Sequence, residues 1–155
     1  IVIRTENGGR NAITQDSLVE KMDTDGIARN DLQMKMDGMD VFSFAISTVP
    51  KSLKAVYELS GKTDSDVDLY LLHQANKYIL QTVSKKLKID FEKIPMNIDR
   101  FGNTSSASIP LLLSSEFGEL TLTKRCMMCG FGAGLSWASN YIELKDCKIS
   151  KLLEI

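Results

Sequence analysis

Surplus charge is the first thing this sequence lacks. Its 155 residues carry 19 Lys and Arg against 20 Asp and Glu, a formal net charge of −1. That excludes general nucleic-acid binding, which needs a basic surplus to meet phosphate. Long apolar runs are missing as well: none approaches the roughly 20 residues of a membrane helix, so no membrane association is expected. Cysteine is scarce, at three, and histidine is represented by His73 alone. An odd cysteine count without a secretory signal reads as reduced thiols of the cytosol. Cys126 and Cys129 have the spacing of a redox or half-zinc motif, but residues three apart on a strand face opposite sides. With no second Cys pair and no His cluster in the chain, buried strand cysteines and no metal site are expected. An initiator Met is also absent, and Ile1-Val2-Ile3-Arg4 reads as a strand already under way, so an excised piece of a longer protein is expected.

What is present is ordinary globular composition, 43% hydrophobic and 25% charged, enough for one domain with its own core. After a turn signal at Asn7-Gly8-Gly9-Arg10-Asn11, residues 14–39 mix charges with weak periodicity and read as a surface excursion, with Met34 and Met36 alternating as on a short strand. Asp40 offers an N-cap for a helix running to about Leu59. Phe42, Ala45, Ile46, Val49, Leu53 and Val56 give it one apolar face, Pro50 should kink it or mark a break, and Gly61 closes it. A strand over Val67–Leu72 follows, then a helix from about Asn76 to Leu87 with a lysine ridge on its outer side. Ile94–Ile98 reads as a short strand, 104–117 as a helix tolerating Pro110 near its first turn, and Lys124–Cys129 and Leu135–Leu144 as strands. Residues 145–155 read as a short tail or one more edge strand. Strands alternating with helices and ending in an antiparallel pair imply a three-layer α/β arrangement with a mixed sheet.

Function concentrates where strands end. The apolar run Leu69-Tyr70-Leu71-Leu72 stops abruptly at His73-Gln74-Ala75-Asn76, which is how open α/β sheets deliver ligand chemistry at strand C-termini. Two more polar or glycine-rich loops follow, Gly102–Ser108 and Gly130–Gly134. Taken singly, each has an ordinary structural reading: a satisfied histidine, a turn asparagine, hairpin glycines. Taken together they form a chemical set. His73 and Asn103 are neutral donors able to meet on one carbonyl oxygen, and the helix start beyond His73 favours neutral imidazole. Backbone N–H groups of Gly132, Ala133 and Gly134 could serve a second oxyanion. No Ser or Cys sits on a sharp strand-to-helix turn beside a base, so oxyanion stabilisation is present and the nucleophile is not.

Three segments in this order, His73–Asn76, Asp99-Arg100-Phe101-Gly102-Asn103-Thr104-Ser105-Ser106-Ala107-Ser108 and Gly130-Phe131-Gly132-Ala133-Gly134-Leu135-Ser136-Trp137-Ala138-Ser139, closely resemble the C-terminal half of 3-oxoacyl-[acyl-carrier-protein] synthase III. The resemblance covers about 1–144 and implies a thiolase-like half with a mixed five-stranded sheet; residues 145–155 would be an extension. It implies decarboxylative Claisen condensation of an acyl-CoA primer with malonyl-acyl carrier protein, without a tightly bound cofactor, the nucleophilic cysteine coming from the N-terminal half. His73 and Asn103 match the pair holding the malonyl thioester carbonyl, and the loop at Ala133 matches the second oxyanion donor. Gly38, Phe42, Ala75 and Asn76 match positions along the pantetheine arm, and Met36 falls near them. Implied partners are acyl carrier protein, with Lys77 and Lys85 as docking charges, the N-terminal half, and a second copy in a homodimer. Two departures stand out: Tyr78 occupies a place that is often basic, and Ala133 one that is usually glycine.

Two further readings accompany this one. The first is a degenerate module that grips CoA or a carrier protein without catalysis. The second is a related acyltransferase of secondary metabolism or surface glycan synthesis that does not decarboxylate and uses His73 as a base.

Overall fold

The computed structural model describes residues 3–4, 15–33 and 35–153, in two compact units: 1–41 with 133–135, and 42–132 with 136–155. The turn expected at residues 7–11, and Met34, lie outside the described residues. In the first unit, β1 (Ile3–Arg4) pairs antiparallel with β4 (Lys35–Met36), and β2 (Lys21–Met22) with β3 (Ala28–Arg29). The β2–β3 turn is closed by Gly26 N–H donating to the Asp23 carbonyl at 3.0 Å, with Gly26 at φ 78°, a left-handed conformation that glycine adopts freely. The described part of the surface excursion thus holds one short hairpin, and its end at Lys35–Met36 pairs back with β1.

Helix α1 (Gly38–Ser60) starts earlier than the sequence suggested. Its cap is Asp37, whose Oδ1 accepts from the N–H groups of both Met39 and Asp40 at 3.0 Å, so Asp40 lies inside the first turn. Pro50 does not end the helix. Proline has no N–H for the carbonyl four residues back, and Lys86 Nζ donates to that Ile46 carbonyl at 3.0 Å instead. Gly61, at φ 66°, follows the helix as expected.

The second unit is organised on a three-stranded sheet: β5 (Leu69–Leu72) parallel to β6 (Thr121–Gly132), and β6 antiparallel to β7 (Ser136–Lys148). Period-two alternation sends residues to opposite faces. Tyr70, Leu72, Met127, Cys129 and Phe131 pack with Ala45, Val49 and Leu53 of α1 and with Ile79, Leu80 and Val83 of α2 (Lys77–Leu87). On the other face, Leu71 and Cys126 pack with Leu112 of α4 (Ser108–Phe117). Helices therefore cover both faces of a mixed sheet, the three-layer arrangement expected of the fold.

Five strands were expected in one sheet, and the described residues place three there. Ile94–Ile98 is not a strand. Pro95 removes a ladder donor, Asn97 takes φ −134° and ψ 12°, and the chain turns into the four-residue α3 (Ile98–Phe101). The last two strands run longer than the apolar pattern suggested. Thr121 pairs with Lys148 and Leu122 with Cys147, across an irregularity between Leu122 and Lys124 where Asp146 N–H donates to Thr123 Oγ1 at 3.1 Å. Among the described residues no helix is long and apolar enough to cross a membrane.

Candidate functional site

His73 follows β5 directly. Its N–H donates to the Cys129 carbonyl at 2.9 Å, continuing the β5–β6 ladder, and its own carbonyl accepts from Ala75 at 3.0 Å. The residue is 8% exposed. Phe131 lies 4.9 Å away at 88°, edge to face, and Phe44 of α1 backs Phe131 at 6.3 Å. Nδ1 of His73 is 2.6 Å from Ser108 Oγ at the start of α4. Burial pushes the imidazole below its ordinary value of 6.5, because a low-dielectric setting penalises the charged ring. At neutral pH the ring is neutral.

The neighbouring side chain holds the loop in place. Gln74 is fully buried. Its Nε2 donates to the Leu72 carbonyl at 2.9 Å, and its Oε1 accepts from Asn97 N–H at 3.3 Å. Asn97 Nδ2 then donates to Ser115 Oγ on α4 at 2.8 Å. This polar chain ties the end of β5 to the start of α3 and to α4, and every member has a partner, as buried polar groups require. Arg100 pairs with Glu116, binding α3 to α4 as well.

Asn103 stands on the exposed link between α3 and α4. Its Oδ1 accepts from Ser105 N–H at 3.0 Å, which leaves its NH2 group to donate outward. Gly102 at φ 64° and Ser105 at φ 53° frame it. Asn76 is the N-cap of α2, its Oδ1 accepting from Ile79 N–H at 2.8 Å. The cap occupies its oxygen and again leaves the NH2. Ala75 packs against the core beside it.

Phe42 stacks on Tyr78, with centroids 5.4 Å apart and planes at 13°. The residue standing where a base is common thus lies flat on a side chain expected along the pantetheine arm. Lys77 and Lys85 are exposed on α2. In the first unit, Met36, Gly38 and Met39 line an open depression with Thr24, Asp25 and Asp37. Gly132 ends β6, while Ala133 and Gly134 form the exposed turn to β7. The left-handed residue there is Gly134, at φ 140°; among the described residues the non-glycine ones with positive φ are Lys88, Ser105, Glu119 and Asp146. Ala133 therefore sits where a Cβ is tolerated, and its replacement of glycine carries no backbone penalty.

Direct contact joins His73 to Ser108 and Phe131, two residues to which the sequence assigned no site function. Ser108 closes the Gly102–Ser108 loop without a role of its own, and Phe131 lies in the glycine-rich loop. Their positions in the quoted segments were the only signal.

A parallel strand ending in histidine, sandwiched between helix layers and followed by an antiparallel hairpin, is the architecture of a thiolase-like half. Residues 58–144 match the family model described as 3-oxoacyl-[acyl-carrier-protein (ACP)] synthase III C terminal. The beta-ketoacyl-[acyl-carrier-protein] synthase III of Acholeplasma laidlawii is 39% identical over 117 residues, covering 76% of this chain and 38% of that protein. The Streptococcus thermophilus protein of the same name is 41% identical over 125 residues, covering 78% of this chain and 38% of its own. A crystal structure of a 3-oxoacyl-(acyl-carrier-protein) synthase III superposes with a TM-score of 0.77 at 34% identity, over 86% of this chain and 40% of that one. The chain belongs to the 3-oxoacyl-[acyl-carrier-protein] synthase III family. It spans about two fifths of the length of the relatives it matches.

Proposed function

We propose that this chain is the C-terminal portion, residues 1–144 with an extension at 145–155, of an enzyme that condenses an acyl-CoA primer with malonyl-acyl carrier protein in fatty acid or related biosynthesis. The observation that carries this reading is the buried, neutral His73 held against Ser108 and Phe131 at the end of β5. In the proposed reaction a cysteine of the N-terminal portion carries the acyl group as a thioester. The malonyl C–C bond to the carboxylate breaks, CO2 leaves, and the electron pair passes to the thioester oxygen as an enolate. His73 and Asn103 donate to that oxygen, where charge develops. The enolate carbon then attacks the acyl thioester, and the cysteine departs as thiolate. The turn at Gly132, Ala133 and Gly134 serves the oxyanion of this second step through backbone N–H groups.

Two thiols of this chain do not suit the nucleophile. Cys126 and Cys129 are buried; burial pushes Cys126 up to about 11 and Cys129 upward as well, whereas an attacking thiol must ionise near neutral pH. Phe42, Ala75 and Asn76 contact the pantetheine arm of either substrate. Lys77 and Lys85 supply positive charge to an acidic carrier protein, and the full-length protein pairs as a homodimer.

The test is condensation and malonyl decarboxylation by the full-length protein, beside His73→Ala and Asn103→Ala. Both variants should lose both activities together, by about 10²–10³-fold, as for removal of an oxyanion donor. Retained decarboxylation in both would remove them from this chemistry. One observation favours a second reading, a module that binds CoA or a carrier protein without catalysis: Tyr78, stacked on Phe42, takes the place of a docking base. Tight calorimetric binding of CoA by an inactive full-length protein would select that reading.

A further inference from the structure

The ring contact between His73 and Ser108 has a direction. Ser108 is 2% exposed, and among the described residues His73 Nδ1, at 2.6 Å, is the one hydrogen-bond partner of its hydroxyl. If Nδ1 carried the proton and donated to Ser108 Oγ, the serine's own proton would be buried with no acceptor. That leaves a polar group desolvated and unpaired, which is unfavourable. If the hydroxyl donates to Nδ1, one bond satisfies both groups. The proton of the neutral ring then resides on Nε2.

Nε2 has no hydrogen-bond partner among the described residues, yet no buried side-chain nitrogen or oxygen among them lacks one. Nε2 is therefore the nitrogen open to the site. Phe131, edge to face at 4.9 Å, opposes rotation of the ring that would exchange the two nitrogens. The N-terminus of α4, which Ser108 begins, disfavours the doubly protonated ring through its positive end.

The geometry points to Ser108 as a positioning residue that fixes His73 as the Nε2–H tautomer, so that the imidazole presents a donor and not a lone pair. The assignment rests on the condensing chemistry proposed above only for its catalytic consequence. A donor at Nε2 stabilises an enolate oxygen; a lone pair there would repel it. The same geometry disfavours the acyltransferase reading, in which Nε2 would have to accept a proton as a base.

The experiment uses the full-length protein labelled with 15N-histidine, the His73 signal being the one that disappears in His73→Gln. The unmodified protein should show the proton on Nε2. Ser108→Ala should show a mixture of tautomers and lower kcat for malonyl decarboxylation about tenfold, less than outright loss of a donor, with KM changed less than about twofold. Ser108→Thr, which keeps the hydroxyl, should restore both tautomer and rate. A proton on Nδ1 in the unmodified protein, or an alanine variant that keeps a pure Nε2–H signal, would overturn the assignment, whatever the rate. Absence of decarboxylation in the unmodified protein would instead overturn the condensing reading, and the nitrogen spectra would still decide the tautomer.

Discussion

At the scale of single residues, burial sets the chemistry of His73. The ring's folded-state value lies below the 6.5 of a free imidazole, so below pH 6.5 the unfolded chain binds a proton that the folded chain resists. The stability tied to the neutral ring is complete above pH 6.5 and is lost as pH falls through the depressed folded value. Denaturation midpoints of the full-length protein should therefore drop between pH 7.5 and 5.5, and His73→Gln should flatten that drop; equal slopes would contradict it. Asp68 governs a separate window. Arg125 holds its carboxylate by side-chain and backbone bonds at 2.8 Å, lowering it from 3.8 to about 2. Its contribution is present above pH 3.8 and fades toward pH 2, a small effect because both side chains are partly exposed and water screens them. Asp68→Asn should lose this acid limb and leave the His73 limb intact. His73 was legible in the sequence because an apolar run stops at it. Ser108 was not, because its partner lies 35 positions away and no local pattern records such a pairing.

Elements explain why two asparagines of the quoted segments divide their work. Asn76 caps α2 with its oxygen, so Asn76→Ala should destabilise the protein by about 1 kcal/mol. Asn76→Ser keeps a capping oxygen but has no amide. It should recover most of that stability while leaving KM for CoA thioesters raised, if the amide meets the pantetheine arm. Full recovery of both by serine would confine Asn76 to capping. At the far end of α4, Gly118 leaves no room for a side chain: a Cβ there would stand 2.5 Å from the Ser114 carbonyl oxygen and 3.2 Å from Lys151 Cα. Gly118→Ala should cost about 1–3 kcal/mol, as overpacking does, read by denaturant titration. The apolar face of α1 was legible from its three- and four-residue steps. Its start was not, since Asp37 and Asp40 are equally good caps by composition and backbone geometry chose the former. The expected strand at Ile94–Ile98 failed for a similar reason: its apolar pattern fits a strand, but pairing needs a neighbour, and Pro95 withholds a donor. The lengths of β6 and β7 depended on register between two chain segments, which neither displays alone.

For the whole molecule, the three-layer arrangement was readable because alternate residues of β5 and β6 feed two separate cores, and each helix carries an apolar face to match. The chain spans about two fifths of its relatives' length, and in the proposed function the nucleophilic cysteine comes from outside it. The isolated 155 residues should therefore show no condensation, while the full-length protein should turn over acyl-CoA and malonyl-acyl carrier protein; turnover by the piece alone would refute the dependence on an external cysteine. The central claim is that His73 and Asn103 stabilise one enolate. Its most direct measurement is the rate of CO2 release from malonyl-acyl carrier protein by full-length protein carrying His73→Ala, Asn103→Ala or both. A loss of about 10²–10³-fold in each single variant, with the double variant losing far less than the product of the two, is the result expected of donors sharing one oxygen. Release at the unmodified rate in either single variant would contradict it.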